Sequence, residues 1–275
     1  KIQIQENGIA VTISNFSLSD TLDCGQCFRF FTQDGVTFYG SHQNHFLTVS
    51  QQGNTVFFHN IDRAEFHAVW RNFFDFDTDY AAVKSILQKD PTLALACEYA
   101  GGIRILRQDP WEALCSFIIS QNNNIPRIKG IIERLCEQFG TPHSMGFQFP
   151  SPNRIAALSL EDLSVLRAGF RTKYILDAAQ KIAKGQLSLD AIASMPIDQA
   201  RICLQTINGV GPKVAECALL FGFHRVDAFP IDTWIKKVLH CYYQEGFPAF
   251  ATPYGGIAQQ FLFHYVRHHS LPNNA

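Results

Sequence analysis

The chain of 275 residues is poor in charge: Asp, Glu, Lys and Arg make up 17% of it, and the formal net charge is −1. That balance argues against a broad nucleic-acid-binding face, although a local basic site needs only its contact surface to attract phosphate. No apolar run approaches the length of a membrane span, and no secretory signal pattern is visible. No internal repeat or low-complexity tract stands out, which argues against a repeat array and against disorder. The cysteines at 24, 27, 97, 115, 136, 203, 217 and 241 never form four closely spaced thiols, so an iron–sulfur cluster is not expected. Cys24-Gly-Gln-Cys27 has C-x-x-C spacing, but no second pair and no nearby histidine completes a zinc site. Most of the thiols lie in apolar stretches, as buried free cysteines of a reducing compartment do.

What is present is core-forming material. Hydrophobic residues make up 47% of the chain, enough for one large domain or two or three smaller ones. Residues 1 to about 60 read as strands, with Ile2/Ile4, Ile9/Val11/Ile13 and Val36/Phe38 alternating. Turn signals at Glu6-Asn-Gly8, Gln33-Asp-Gly35 and Gln51-Gln-Gly-Asn54 separate them, which predicts an antiparallel sheet with one covered face. Helical patterns begin near Arg63 and dominate from Asp79. Asp109-Pro-Trp-Glu112 reads as a helix start: Asp109 caps, Pro110 takes the first helical position, and Glu112 completes a capping-box-like pattern. Pro126 is expected to open the next helix, which Gly140 closes. The fold class is α+β, with an N-terminal antiparallel sheet domain over residues 1–107 and a mostly helical region over 108–275.

The chemistry concentrates at Ile207-Asn-Gly-Val-Gly-Pro-Lys213, between a helix ending near Gln205 and one beginning at Pro212. Gly209 and Gly211 permit a tight turn, and the free N–H groups at the following helix start can hold an anion. That is the physical content of a helix-hairpin-helix, a sequence-blind grip on a DNA phosphate. Lys213 then stands at the positive end of a helix dipole, the wrong end for a cation. A charge disfavoured there favours the free amine that nucleophilic attack needs. Asp232 caps the following helix and supplies a carboxylate that could stabilise positive charge on an attacked sugar carbon. Taken singly, Lys213 reads as a phosphate-binding or solvated lysine and Asp232 as a plain cap.

Asn208-Gly-Val-Gly-Pro-Lys-Val-Ala-Glu-Cys217 with Pro230-Ile-Asp232 resembles the helix-hairpin-helix plus Gly/Pro–Asp signature of base-excision DNA glycosylases. More narrowly, the chain is similar to the 8-oxoguanine DNA glycosylase family. Further blocks carry that resemblance: Cys24-Gly-Gln-Cys-Phe-Arg29, Ser120-Gln-Asn-Asn-Asn-Ile-Pro-Arg127, Ala168-Gly-Phe-Arg171 and Gly256-Ile-Ala-Gln-Gln-Phe-Leu-Phe263. The resemblance implies a sheet domain and two helical subdomains flanking a cleft. It also implies a bifunctional glycosylase and lyase that flips the damaged base out of duplex DNA. Lys213 would displace the base at C1′, form a Schiff base and nick the strand by β-elimination, with Asp232 stabilising the oxocarbenium-like transition state. Gly25 would accept N7–H of the lesion through its carbonyl. Phe263 and Cys217 would stack on the two base faces, Pro230 would line the pocket, and Gln259 would read the Watson–Crick edge. Asn122, Arg127 and Arg171 would hold the orphaned cytosine, with Phe170 wedged into the stack. Asn208, Gly209, Val210, Gly211 and Trp234 would meet the DNA.

The resemblance implies no required cofactor, but backbone carbonyls of Ile207, Gly209 and Val210 could hold a structural monovalent or calcium ion. The implied partner is double-stranded DNA containing oxidised guanine, bound by a monomer with no membrane association. The implied compartment is the cytoplasm, at a bacterial nucleoid, or the nucleus if the source is eukaryotic. Three positions depart from the family pattern: Trp234 replaces a histidine, Cys27 a serine, and Pro126 precedes Arg127. Two other readings remain at this stage: a monofunctional alkylbase glycosylase, and a non-catalytic helix-hairpin-helix DNA-binding protein.

Overall fold

The structure is a computed structural model and describes residues 2–269. Six strands form one antiparallel sheet: β1 (Ile2–Gln5), β2 (Gly8–Thr12), β3 (Phe30–Thr32), β4 (Thr37–His42), β5 (His45–Gln52) and β6 (Thr55–His59), in the order β1-β2-β6-β5-β4-β3. Register puts Phe38, Val49, Phe58 and Ile9 in one row across four strands, and all four are buried. Side chains alternate faces along a strand, so this row defines the covered side. It packs on Phe66, Trp70, Phe73 and Phe74 of the helical run that follows the sheet. Ile4 departs from the expected alternation: it lies on the edge strand β1 and is 68% exposed.

The rest is helical: α1 (Tyr80–Leu87), α2 (Pro91–Ala100), α3 (Pro110–Ser120), α4 (Ile125–Phe139), α5 (Arg171–Ala183), α6 (Ile197–Leu204), α7 (Pro212–Gly222), α8 (Thr233–Tyr242) and α9 (Gly255–His268), with shorter turns between them. Local chemistry explains the starts. Asp109 accepts the Glu112 N–H at 2.9 Å, and Asn124 accepts that of Arg127 at 3.0 Å. Two expectations need correction. Glu112 does not complete a capping box; its carboxylate is buried and pairs with Arg29 at 3.1 Å across the sheet–helix boundary. The helix expected to open at Pro126 opens at Ile125, with proline second.

Two hydrophobic cores form. One belongs to the sheet and the helical run behind it; the other gathers α1 to α9. Helices α1 and α2 precede residue 107 in sequence, yet they build the helical core, and α2 packs along α9. One buried carboxylate ties the parts together. Asp75 accepts hydrogen bonds from Thr78 at 2.9 Å, Tyr80 at 3.1 Å and Arg107 at 2.8 Å, and lies 3.2 Å from His224 beyond the end of α7. Among the described residues no helix is long and apolar enough to cross a membrane.

Candidate active site

The hairpin joins α6 to α7. Ile207 and Val210 are buried and pin its base, and the Val210 N–H closes the turn on the Ile207 carbonyl at 3.0 Å. Gly209 has φ +77°, and a β-carbon there would lie 2.3 Å from the Tyr174 ring. Backbone sign and close packing therefore both demand glycine. Asn208 donates its backbone N–H and its side-chain amide to Asp177 of α5, at 2.8 and 3.0 Å. That commitment makes Asn208 an anchor for the loop. Gly211 caps α7 without a side chain, and Pro212 carries no N–H. The N–H groups of Gly209, Gly211, Lys213 and Val214 consequently meet no acceptor among the described residues. Such a cluster at a helix start suits a phosphate.

Lys213 is the second residue of α7 and half-buried. Its Nζ lies 5.8 Å from the centre of the Phe117 ring, and its side chain also reaches Cys217 one turn on. Burial pushes the Cys217 thiol up to about 11, against the pull of the Lys213 charge and its hydrogen bond. Cys217 is therefore a neutral, apolar wall and does not compete as a nucleophile. Asp232 caps α8 by accepting the Ile235 N–H at 2.8 Å, and its charge is felt at Cys217 as well. Among the described residues no ion pair joins Lys213 to a carboxylate. Both charges thus act on Cys217, and no ion pair joins them.

Glu216 was not singled out in the sequence. It is buried on the same helix, accepts the Phe229 N–H at 2.7 Å and pairs with Arg201. This clamp fixes the segment carrying buried Pro230 and Asp232 onto the helix that carries Lys213. The available signal was a charged residue inside the apolar stretch from Val214 to Gly222.

A second cluster gathers around the Gly25 loop and α9. Gly25 has φ +85° and lies in a loop held on both sides: the Cys24 carbonyl accepts from Gln260 at 3.2 Å and the Gln26 carbonyl from Gln108 at 2.7 Å. The Gly25 carbonyl between them receives no hydrogen bond from a described residue. Gln259, next to Gln260 on α9, is 5% exposed, and its Oε1 is buried with no partner among the described residues. Phe263 lies one helical turn further on, half-buried. The two unmet acceptors lie on elements joined by the Gln260–Cys24 bond, and each would suit an N–H donor of a ligand.

The third cluster follows α3. The three asparagines divide their labour. Asn123 donates to the Ile119 carbonyl at 3.0 Å, Asn124 caps α4, and Asn122 has φ +46° with an exposed side chain. The two arginines are unequal. Arg127 is exposed, and its guanidinium has no partner among the described residues. Arg171 is 3% exposed and donates to the carbonyls of Gln121, Asn122 at 2.9 Å and Ala168 at 3.1 Å. Burial, with the Arg127 charge, lowers its pKa. Arg171 was expected beside the orphaned cytosine; most of its donors organise the Asn122 turn. Phe170, 45% exposed, lies against the Arg171 guanidinium at 4.4 Å. Trp234 is exposed near Lys237, whose Nζ lies 5.6 Å from its ring centre.

A hairpin between two helices, a half-buried lysine at the second helix start and a capping aspartate on the next helix define a helix-hairpin-helix DNA glycosylase class. Comparison with known proteins narrows this. Residues 8–114 match the description "8-oxoguanine DNA glycosylase, N-terminal domain", and residues 115–246 match "HhH-GPD superfamily base excision DNA repair protein". The chain is similar to MBOgg1, solved with a low-affinity DNA ligand, at TM-score 0.90 and 38% identity, covering 97% of this chain and 98% of that one. It is similar to the 8-oxoguanine glycosylase/lyase of Clostridium acetobutylicum, solved with double-stranded DNA containing cytosine opposite 8-oxoG, at TM-score 0.89 and 36% identity, covering 97% of each chain. An N-glycosylase/DNA lyase of Saccharomyces cerevisiae is 36% identical over 159 residues, 52% of this chain and 42% of that protein. This chain spans between 42% and 61% of the first curated relatives it matches. The chain belongs to the 8-oxoguanine DNA glycosylase family within the HhH-GPD superfamily.

Proposed function

We propose that the protein excises 8-oxoguanine opposite cytosine from duplex DNA and then nicks the strand as a lyase. The observation that carries this is the pair of unmet acceptors, the Gly25 carbonyl and Gln259 Oε1, in a chain whose hairpin helix begins with a half-buried lysine. 8-Oxoguanine carries a proton at N7, which guanine lacks; Gly25 accepts it. N–H groups on the Watson–Crick edge satisfy Gln259. An unmet buried acceptor costs about 1–3 kcal/mol, so the missing N7 proton alone discriminates against guanine roughly 5- to 150-fold. Cys217 and Phe263 close on the two faces of the flipped base.

Lys213 Nζ attacks C1′ as the bond to the base breaks, and the base takes the electron pair. Asp232 stabilises the positive charge that develops on the sugar. Loss of the Nζ proton and opening of the sugar ring give the Schiff base. Removal of a 2′ proton then expels the 3′ phosphate. Arg127 and Asn122 read the orphaned cytosine, Arg171 holds the turn that presents them, and Phe170 fills the gap in the stack. The hairpin N–H groups hold a backbone phosphate. No organic cofactor is needed. The carbonyls of Gly209 and Val210, which no described N–H occupies, with that of Ile207, suit a hard cation such as calcium or a monovalent ion, in a purely structural role. The protein acts on DNA as a monomer.

Single-turnover excision on 8-oxoguanine paired with each of the four bases tests this reading. Cytosine is expected to be preferred, and Arg127→Ala is expected to raise excision opposite adenine relative to cytosine. Release of undamaged guanine at the same rate as the lesion would remove the assignment of Gly25.

A further inference from the structure

We propose that a second phosphate grip, built on Arg167 and Lys173, takes the backbone of the strand opposite the lesion. The inference rests on the glycosylase reading above. A groove of about 580 Å³ runs beside Phe170, lined among others by Arg127, Leu160, Arg167, Thr172 and Lys173. It holds three cations and no acid, in a chain whose net charge is −1. None of the three pairs with a carboxylate among the described residues. By contrast Arg29, Arg71, Arg107, Arg201 and Arg225 are each held by a carboxylate.

Arg167 is the unusual member. It ends the turn Asp162–Leu166 with φ +53°, a region that residues other than glycine rarely adopt. The turn is braced from behind, because Arg134 donates twice to the Leu166 carbonyl, at 3.1 and 2.8 Å. The brace fixes where the Arg167 side chain leaves the backbone.

The choice of strand follows from neighbours. Gly209 of the hairpin packs on the Tyr174 ring, and Tyr174 meets Phe170 edge-on at 5.8 Å. The Phe170–Tyr174 pair therefore separates the hairpin, the grip on the lesion strand, from the basic groove. Arg127, the reader of the opposite base, lines that groove. A duplex straddling the wedge puts one backbone in each grip.

The test is the salt dependence of binding. Each phosphate contact contributes a slope of about −0.9 in log K against log salt on duplex DNA. Arg167→Gly, which also relieves the positive φ, combined with Lys173→Ala removes two contacts. The slope for a lesion-bearing duplex is expected to become shallower by roughly 1.8, while the slope for the same lesion in single-stranded DNA stays unchanged. An unchanged duplex slope overturns the grip. An equal loss on single-stranded DNA overturns the strand assignment. If the wild-type protein shows the slopes but excises nothing, the glycosylase reading fails and the groove stands.

Discussion

Lys213 and Gln259 each sit where ordinary stability rules would put another residue, whereas Gly209 sits where they demand glycine. A buried amide oxygen without a donor is a standing penalty of about 1–3 kcal/mol in the free protein. Gln259→Met, close in shape, should therefore stabilise the unliganded protein by up to about 1 kcal/mol. The same change should slow excision at least about tenfold, since one bond to the base is lost. Thermal melting and single-turnover excision on one preparation check both signs; loss of stability would show that Oε1 is already satisfied. Gly209→Ala places a β-carbon against the Tyr174 ring at φ +77°. It should cost about 1–3 kcal/mol and weaken binding to undamaged duplex, measured by denaturant midpoint and filter binding. The glycines of the hairpin were legible in the sequence because a turn between helices has few solutions. The burial of Gln259 was not, because a glutamine in a helix carries no sign of what covers it.

Elements were easier to read than the bonds between them. Periodicity and caps placed most strands of the sheet and the helices on both sides of the hairpin, since those signals are local. The stretch read as strands also holds a short helix at Leu18–Asp23 and the strand β3, which no alternation marked. The links that aim the site are long-range. Arg29 meets Glu112 across 83 residues, Arg171 reaches the carbonyl of Gln121 across 50, and Gln260 reaches Cys24 across 236. No local pattern encodes such partners, so Glu112 read as part of a cap and the turn that Arg171 holds went unread. The Glu216 clamp belongs at this scale because it sets α7 against the Phe229–Asp232 segment. Glu216→Ala should lower single-turnover excision at least about tenfold while leaving duplex affinity near wild type, because phosphate grips lie elsewhere. Glu216→Gln keeps an acceptor for Phe229 and should recover part of that rate. Equal rates for the two variants would deny the clamp its positioning role.

Across the whole molecule, Asp75 joins the sheet side, the connecting segment and the end of α7. Its surroundings are buried, yet His224 and Arg107 outweigh that burial and hold its pKa below the usual carboxylate value. A group depressed on folding contributes stability above its unfolded pKa and loses it as pH falls through the folded one. Asp75→Asn should cost about 3–5 kcal/mol at neutral pH by stranding Arg107 and His224, somewhat less because Arg107 is partly exposed. The gap in melting temperature between wild type and variant should narrow as pH drops below about 4. A gap independent of pH between 3 and 7 would mean that the carboxylate charge is not what ties the parts. On the proposed reading, this arrangement brings α7, the Gly25 loop and α9 around one flipped nucleotide. Borohydride reduction during incubation with an 8-oxoguanine:cytosine duplex tests that most directly. The expected result is a covalent protein–DNA adduct with the wild type and none with Lys213→Gln, which still binds the duplex; equal trapping by Lys213→Gln, or none by the wild type, would contradict attack by the Lys213 amine.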